Sequence, residues 1–166
     1  MNNKIKKHEL QCEWTLWAHL PHNNTDWSVA SYIQLYHFTC VEDTLSVMNA
    51  LPNELIENCM LFLMRKGIQP IYEDPMNVQG GAFSYKVVSK HVAQCFKELT
   101  YVVVGETVSQ DMDFMSKVMG ITISPKKNFC IIKIWMQDCK NQNAAKVTKD
   151  VINLNAYGCV FKKHPI

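Results

Sequence analysis

Tyr72, Glu73 and Asp74 stand together in the stretch GIQPIYEDP, between Pro70 and Pro75. Proline fixes φ and removes a donor, so the stretch reads as a stiff loop rather than the inside of an element. An ionised carboxylate only accepts hydrogen bonds. The Watson–Crick edge of guanine offers N1–H and an exocyclic amine side by side, and one carboxylate can accept from both. Unpaired bases are held by stacking on aromatic planes, at ~1–3 kcal/mol per base. A positive charge on the base adds a cation–π contribution of ~0.5–2 kcal/mol, and a nearby acid adds Coulomb attraction in a partly desolvated slot. Glu73 beside Tyr72 therefore suits a cationic guanine nucleotide. The competing reading is a solvated acidic turn, the commoner fate of such a tripeptide.

Two further aromatics bear on that choice. Trp27 follows the polar loop PHNNTD, so it is either an anchor packed back on the core or a stacking platform. The run FCIIKIWM (129–136) alternates Cys130, Ile132, Ile134 and Met136 with Phe129, Ile131, Lys133 and Trp135. The first set suits burial under helices. Lysine is rarely fully buried, so the second set is expected to face an open side, with Trp135 beside a cation. Alternatively, Trp135 caps the core edge and Lys133 snorkels. Lys126 and Lys127 sit in the turn SPKKN at the mouth of that strand, where they could meet phosphate or simply be solvated. Lys162, Lys163 and His164 are a weaker candidate for a nucleic-acid backbone contact. Arg65 is the one arginine, so any phosphate site here must be read from lysines, which act as mobile point charges.

Catalytic signatures are missing. The chain carries no GxSxG, P-loop, HExxH or GxGxxG pattern. Seven cysteines are scattered without CxxC or CxxH spacing, so neither zinc nor a nucleophile is singled out, and reduced thiols in a cytosolic protein are expected. No cofactor is expected. The formal net charge of +2 favours no particular class of partner. The basic start MNNKIKKHELQ lacks the apolar run of a signal peptide, and no apolar run approaches the ~20 residues of a membrane span.

The elements that must position these residues follow from periodicity. LQCEWTLWAH alternates with period two and predicts a half-buried strand, followed after Trp27 by a second β-like run, VASYIQLYHF. TCVEDTLSVMNAL puts Val41, Leu45, Met48 and Leu51 on one helical face, with Thr39 and Glu42 at capping-box spacing and Pro52 as terminator. CMLFLMRKG and GGAFSYKVVS predict strands on either side of the proline-bracketed loop. A helix with Val92, Phe96, Leu99 and Val103 in line follows, then a hairpin formed by GITIS, the turn PKKN and FCIIKIWM. NQNAAKVTKDVINL predicts a third amphipathic helix through Ala144, Val147, Val151 and Leu154, and YGCVFKK a closing strand. The expected class is α+β, a largely antiparallel sheet with three helices on one face and the other face open. A mobile tail is expected over residues 1–7 and a single domain over 8–166.

In order along nearly the whole chain, HELQCEWTLWAH, Trp27, TCVEDTLSVMNAL, RKGIQPIYEDPMNVQGGAF, VVVGE, KIW and DCKN resemble the translation initiation factor 4E family. Its members are cytoplasmic proteins that bind the 7-methylguanosine cap of messenger RNA. The loop is the most specific segment, close to the family pattern G-I-x-P-M-W-E-D-x-x-N-x-x-G-G-x-W. The resemblance implies a curved antiparallel sheet backed by three helices on its convex face, with the cap on the concave side. It also implies that Trp27 and Tyr72 sandwich the base, that Glu73 reads its edge, and that Trp135 touches the methyl group.

The chain departs from the family at the phosphate end. Lys126 aligns with a phosphate-binding arginine, Ile131 with a phosphate-binding lysine, and Ala82 with the arginine after Gly-Gly. Lys133 or Lys127 could replace what Ile131 lacks. On the dorsal side, family members dock a helical peptide from the scaffold factor 4G or from repressors that mimic it. That site maps here to His8, Val41, Leu45, Lys97 and Glu98, with leucine in place of a tryptophan at Leu45 and lysine in place of a leucine at Lys97. The implied protein is a cytoplasmic, monomeric cap-binding translation factor. The alternatives are a cap-binding repressor or decoy, and, from another class, an aromatic-cage module that holds a methylated lysine or a peptide.

Overall fold

The computed structural model describes residues 6–165. The expected tail falls mostly outside them, but Lys7 within it pairs with Asp43 at 2.8 Å. The strands are β1 (Glu9–His19), β2 (Tyr32–Cys40), β3 (Met60–Arg65), β4 (Gly81–Val88), β5 (Val118–Pro125), β6 (Phe129–Met136) and β7 (Val160–Lys163). The helices are α1 (Val41–Ala50), α2 (Asn53–Asn58), α3 (Ser89–Val104) and α4 (Met112–Ser116), with 3₁₀ turns at Val29–Ser31 and Ala144–Lys146. The strands form one open, curved sheet in the order β2-β1-β3-β5-β6-β4-β7, antiparallel at every described pairing.

Alternation along the strands separates the two faces. Leu61 and Leu63 of β3, Ile121 and Ile123 of β5, and Ile132, Ile134 and Met136 of β6 join one core with Val92, Phe96, Leu99 and Val103 of α3. The period-3.6 stripe in α3 thus forms as expected, and it carries through the β-branched valines to Val104, with Val103 and Val104 buried. The opposite strand positions, joined by Ile68 from the loop after β3, build a smaller apolar cluster of Phe62, Met64, Ala82, Met119 and Trp135.

Three local expectations are corrected. Residues 141–154 form no α-helix beyond the 3₁₀ turn. Their polar side chains bond nearby backbone instead: Asn143 accepts from Ala145 N–H and Thr148 from Asp150 N–H. Such local bonds compete with the helical ladder. Val147, Val151 and Leu154 are nevertheless buried, so the helix-like spacing came from a loop that drops single side chains into the core. On α1, Val41 and Leu45 are 41% and 44% exposed, and burial falls on Thr44 and Met48. The capping box is absent too. Glu42 instead accepts from the backbone N–H and ring Nδ1 of His8, which holds its carboxyl down at about 2.

The loop between β3 and β4 is fixed by buried polar groups. Asp74, 7% exposed, accepts from the backbone N–H of Gln69 and of Met76, both at 2.9 Å. Asn77, fully buried, donates through Nδ2 to the carbonyls of Gln69 and Ile71 at 3.1 and 2.8 Å. Where the loop rejoins the sheet, a Cβ on Gly80 would lie 1.9 Å from the carbonyl oxygen of Met136. Only glycine allows that approach.

Candidate functional site

On the face away from the helices lies a cavity of about 480 Å³. Its floor comes from outward-facing strand positions: Phe62 of β3, Thr122 and Ser124 of β5, Lys133 and Trp135 of β6. Its rim comes from two loops, one bearing Trp27 and the other Tyr72 and Glu73. Lys126 closes it from the β5–β6 turn. Trp27, Tyr72, Glu73, Trp135, Lys126 and Lys133 are therefore brought to one cavity. Lys127, exposed in the same turn, is not among its lining residues.

Each rim aromatic rests on a second ring. Trp27, 48% exposed, stacks on His19 with centroids 4.2 Å apart and planes 5° from parallel. His19, held through Nε2 at 2.8 Å from the carbonyl oxygen of Asp26, thereby ties β1 to the Trp27 loop. Tyr72 stacks on Trp135 at 5.0 Å and 15°. His164 packs at a tilt against both, 4.9 Å from Tyr72 and 4.7 Å from Trp135. The expectation that Trp135 lies on an open face is corrected here: Tyr72 and His164 cover it, leaving 2% of its surface exposed. Lys133 is not a free charge either. Its ammonium donates to the Tyr72 hydroxyl at 3.4 Å and sits 5.9 Å from the centre of that ring.

Electrostatics divide the cavity. Glu73 is exposed at the rim, while Asp74 turns inward to the loop. Burial, helped by the nearby Glu73 carboxylate, pushes the Tyr32 hydroxyl up to about 12, so it stays a neutral group at the wall. Burial, helped by Lys133, pushes His164 down to about 4, so its ring is neutral at pH 7. The Thr122 hydroxyl and the Trp135 Nε1–H at the floor are buried without a partner. The sole arginine is committed elsewhere: Arg65 forks onto Glu106 at 2.7 and 2.9 Å and lies over Trp14. Among the described residues, no cluster of His, Cys, Asp or Glu could hold a metal, and no helix is long and apolar enough to cross a membrane.

Sequence reading missed His19, Thr122 and Asn77. The first two lie on strands at positions of the right parity for this face, a signal that register alone makes usable. Asn77 stands at the fixed asparagine of the family pattern, a signal to which no role was attached.

On the helix side, His8, Val41 and Leu45 lie exposed. Lys97 is half-buried and donates to Asn53 Oδ1 at 3.3 Å. Glu98 accepts from Gln94 at 2.9 Å and from the backbone of Ile152 at 3.2 Å, so the 141–154 loop is tied to α3 at this surface.

The sequence profile described as Eukaryotic initiation factor 4E matches residues 9–165. The chain belongs to that family. It is 32% identical over 146 residues to eukaryotic translation initiation factor 4E-2 of Schizosaccharomyces pombe, covering 84% of this chain and 58% of that protein. Against eukaryotic translation initiation factor 4E of Homo sapiens the figures are 26% over 144 residues, 83% and 64%. The chain thus spans little more than half the length of the fission-yeast relative. Among solved structures, it superposes on C. elegans eIF4E-3 in complex with the 4E-binding protein Mextli and a cap analog, with a TM-score of 0.77 at 23% identity over 96% of this chain and 94% of that one. Ascaris suum eIF4E-3 with m7G cap gives 0.69 at 26% identity, over 82% of this chain and 77% of that one.

Proposed function

We propose that this protein binds the 7-methylguanosine cap of messenger RNA and acts in translation initiation in the cytoplasm, without catalysing a reaction. The observation that carries the reading is a single cavity lined by two ring-backed aromatics, a rim carboxylate and two lysines. Family membership supports the same reading. Residues 8–166 act as one binding unit in this proposal.

The base slides between the free faces of Trp27 and Tyr72. The backing rings, His19 and Trp135, keep both plates from turning, so less ordering remains to be done on binding. Methylation at N7 makes the base cationic, which adds ~0.5–2 kcal/mol of cation–π attraction over the unmethylated base. Glu73 accepts from N1–H and the exocyclic amine, charge-assisted bonds of ~1.5–3 kcal/mol each. Trp135 backs Tyr72 and meets the methyl group only where Tyr72 lifts. Lys126 and Lys133 take phosphates, and Lys127 adds to the field from outside the cavity. Exposed Val41 and Leu45 beside His8, Lys97 and Glu98 offer a docking face for a helical peptide from a 4G-like scaffold. Lys97, where the family has a leucine, weakens an ordinary one.

Titration of intrinsic tryptophan fluorescence tests the proposal. Quenching by 7-methyl-GTP at concentrations where GTP has little effect is the expected result. Equal binding of the two nucleotides, or none, overturns it. An aromatic cage for methylated lysine would instead bind without regard to phosphate number.

A further inference from the structure

Beyond Tyr72 the same sheet face continues toward its β7 edge as a second groove of about 550 Å³. Register sets its charges. Ser84 of β4 pairs with Lys133 of β6, and Lys86 stands two residues along β4 on the same face, paired with Ile131. Lys162 of β7 pairs with Ala82, again on that face. Lys86, Lys133, Lys162 and Lys163 all line the groove, and among the described residues no carboxylate side chain does. Among the described residues, none of the four is in a salt bridge. Lys86 instead sits 4.4 Å over the ring of Phe129. His164 lines the same groove and is 94% buried, with Nε2 unpartnered.

Edge strands carry lysines to block pairing with other chains. That accounts for Lys162 and Lys163 on β7. At Lys86 β4 is an edge as well, since its pairing with β7 covers only Gly81–Ser84, but edge protection does not require that lysine to share a face with Lys133 and Lys162. Lys86 is diagonal to Lys133 across adjacent strands, ~7–8 Å away at the backbone. Lys162 lies across the groove from that pair. The result is a row of cations without a carboxylate partner among the described residues, beginning in the base cleft, because Tyr72 and Lys133 line both cavities.

We infer that this groove carries the phosphodiester backbone of single-stranded RNA leading away from the cleft, with Lys86 and Lys162 as its contacts to phosphates downstream of the 5′ end. The inference rests on the cap-binding reading for its direction. Continuity with a base-sized cleft favours an RNA strand over a flat anionic membrane, and an acidic peptide would have no use for that continuity. Lysine contacts of this kind read charge and not sequence.

The test measures binding of the full chain to three probes across a salt series: 7-methyl-GTP, an eight-nucleotide RNA carrying that cap, and the same RNA uncapped. The capped RNA is expected to bind roughly tenfold tighter than 7-methyl-GTP at low salt, with a steeper salt dependence, by about 0.7 in log–log slope per phosphate contact. Lys86→Gln combined with Lys162→Gln should erase that advantage, reduce the slope by about 1.4, and leave 7-methyl-GTP affinity unchanged, which also shows that the variant folds. Equal wild-type affinity for capped RNA and 7-methyl-GTP overturns the inference, as does an advantage that survives the double variant. Competition by poly-glutamate as effective as that of uncapped RNA of matched charge overturns RNA as the occupant. Failure of 7-methyl-GTP to bind at all sinks the cap reading separately. The groove is then judged on the uncapped RNA, whose loss in the double variant supports it and whose persistence refutes it.

Discussion

At its base end the cleft is held by buried groups, whereas at its lysine end it is edged by a turn and by side chains arriving from the surface. Tyr72 rests on Trp135, its loop is tied by Asp74 and Asn77, and Trp27 rests on His19. Lys126 and Lys127, by contrast, are exposed and make no described ion pair. Under the proposed function, the contrast follows from what each end would have to do. Reading a base edge needs donors and acceptors held within tenths of an ångström, which packing and buried hydrogen bonds supply. Attracting phosphate needs only a positive field, which mobile ammonium groups supply at the cost of geometric selectivity.

If that division is right, substitutions at the base end should cost more than those at the lysine end. Glu73→Ala should have the largest effect, weakening 7-methyl-GTP by about 3 kcal/mol, roughly 100-fold, and abolishing preference for guanine over adenine nucleotides. Calorimetric titration with both would check it, and retained guanine preference would remove Glu73 from its role. Next comes Asn77→Ala, which strips two donors from buried carbonyls and should cost ~1–3 kcal/mol of folding stability, read by urea denaturation. Cap affinity should fall with it, because the Tyr72 loop loosens. A stable variant of full affinity would show that the loop is not what holds the base end. Lys126→Gln should weaken 7-methyl-GTP only severalfold, with the loss fading as salt rises. A salt-independent loss as large as that of Glu73→Ala would erase the contrast.

The smallest effect concerns acid. Burial lowers the folded-state pKa of His164 to about 4 from an ordinary 6.5. Between those values the unfolded chain binds the extra proton, so this group's contribution to stability falls as pH drops from 6.5 toward 4. His164→Gln should flatten the dependence of Tm on pH across that window. An unchanged slope would mean that His164 is not buried as a neutral ring against Tyr72 and Trp135.

What could be read from the sequence follows the same line. The base-end residues lay in a dense motif, and prolines beside an aromatic–acid pair already announced a stiff loop. Strand periodicity placed Lys133 and Trp135 on the face opposite the helices. It could not show that Tyr72 and His164 would cover Trp135, because loop packing over a sheet is set by tertiary contacts far apart in sequence. His19 and His164 come from the two ends of the chain to back the rings, and neither has a local signature. The helix expected at 141–154 failed for a local reason: Asn143 and Thr148 cap short turns, and Asn153 adopts φ 72°, outside the helical range. On α1, Val41 and Leu45 share an apolar helical face that the resemblance assigned to peptide docking, and both are exposed.

The most direct test of the central claim is a crystal structure with 7-methyl-GTP bound. The account predicts the base between Trp27 and Tyr72, its N1–H and exocyclic amine on the Glu73 carboxylate, and its phosphates directed toward Lys126 and Lys133. A nucleotide bound elsewhere, or a base that lies in the cleft with Glu73 turned to solvent, would contradict it.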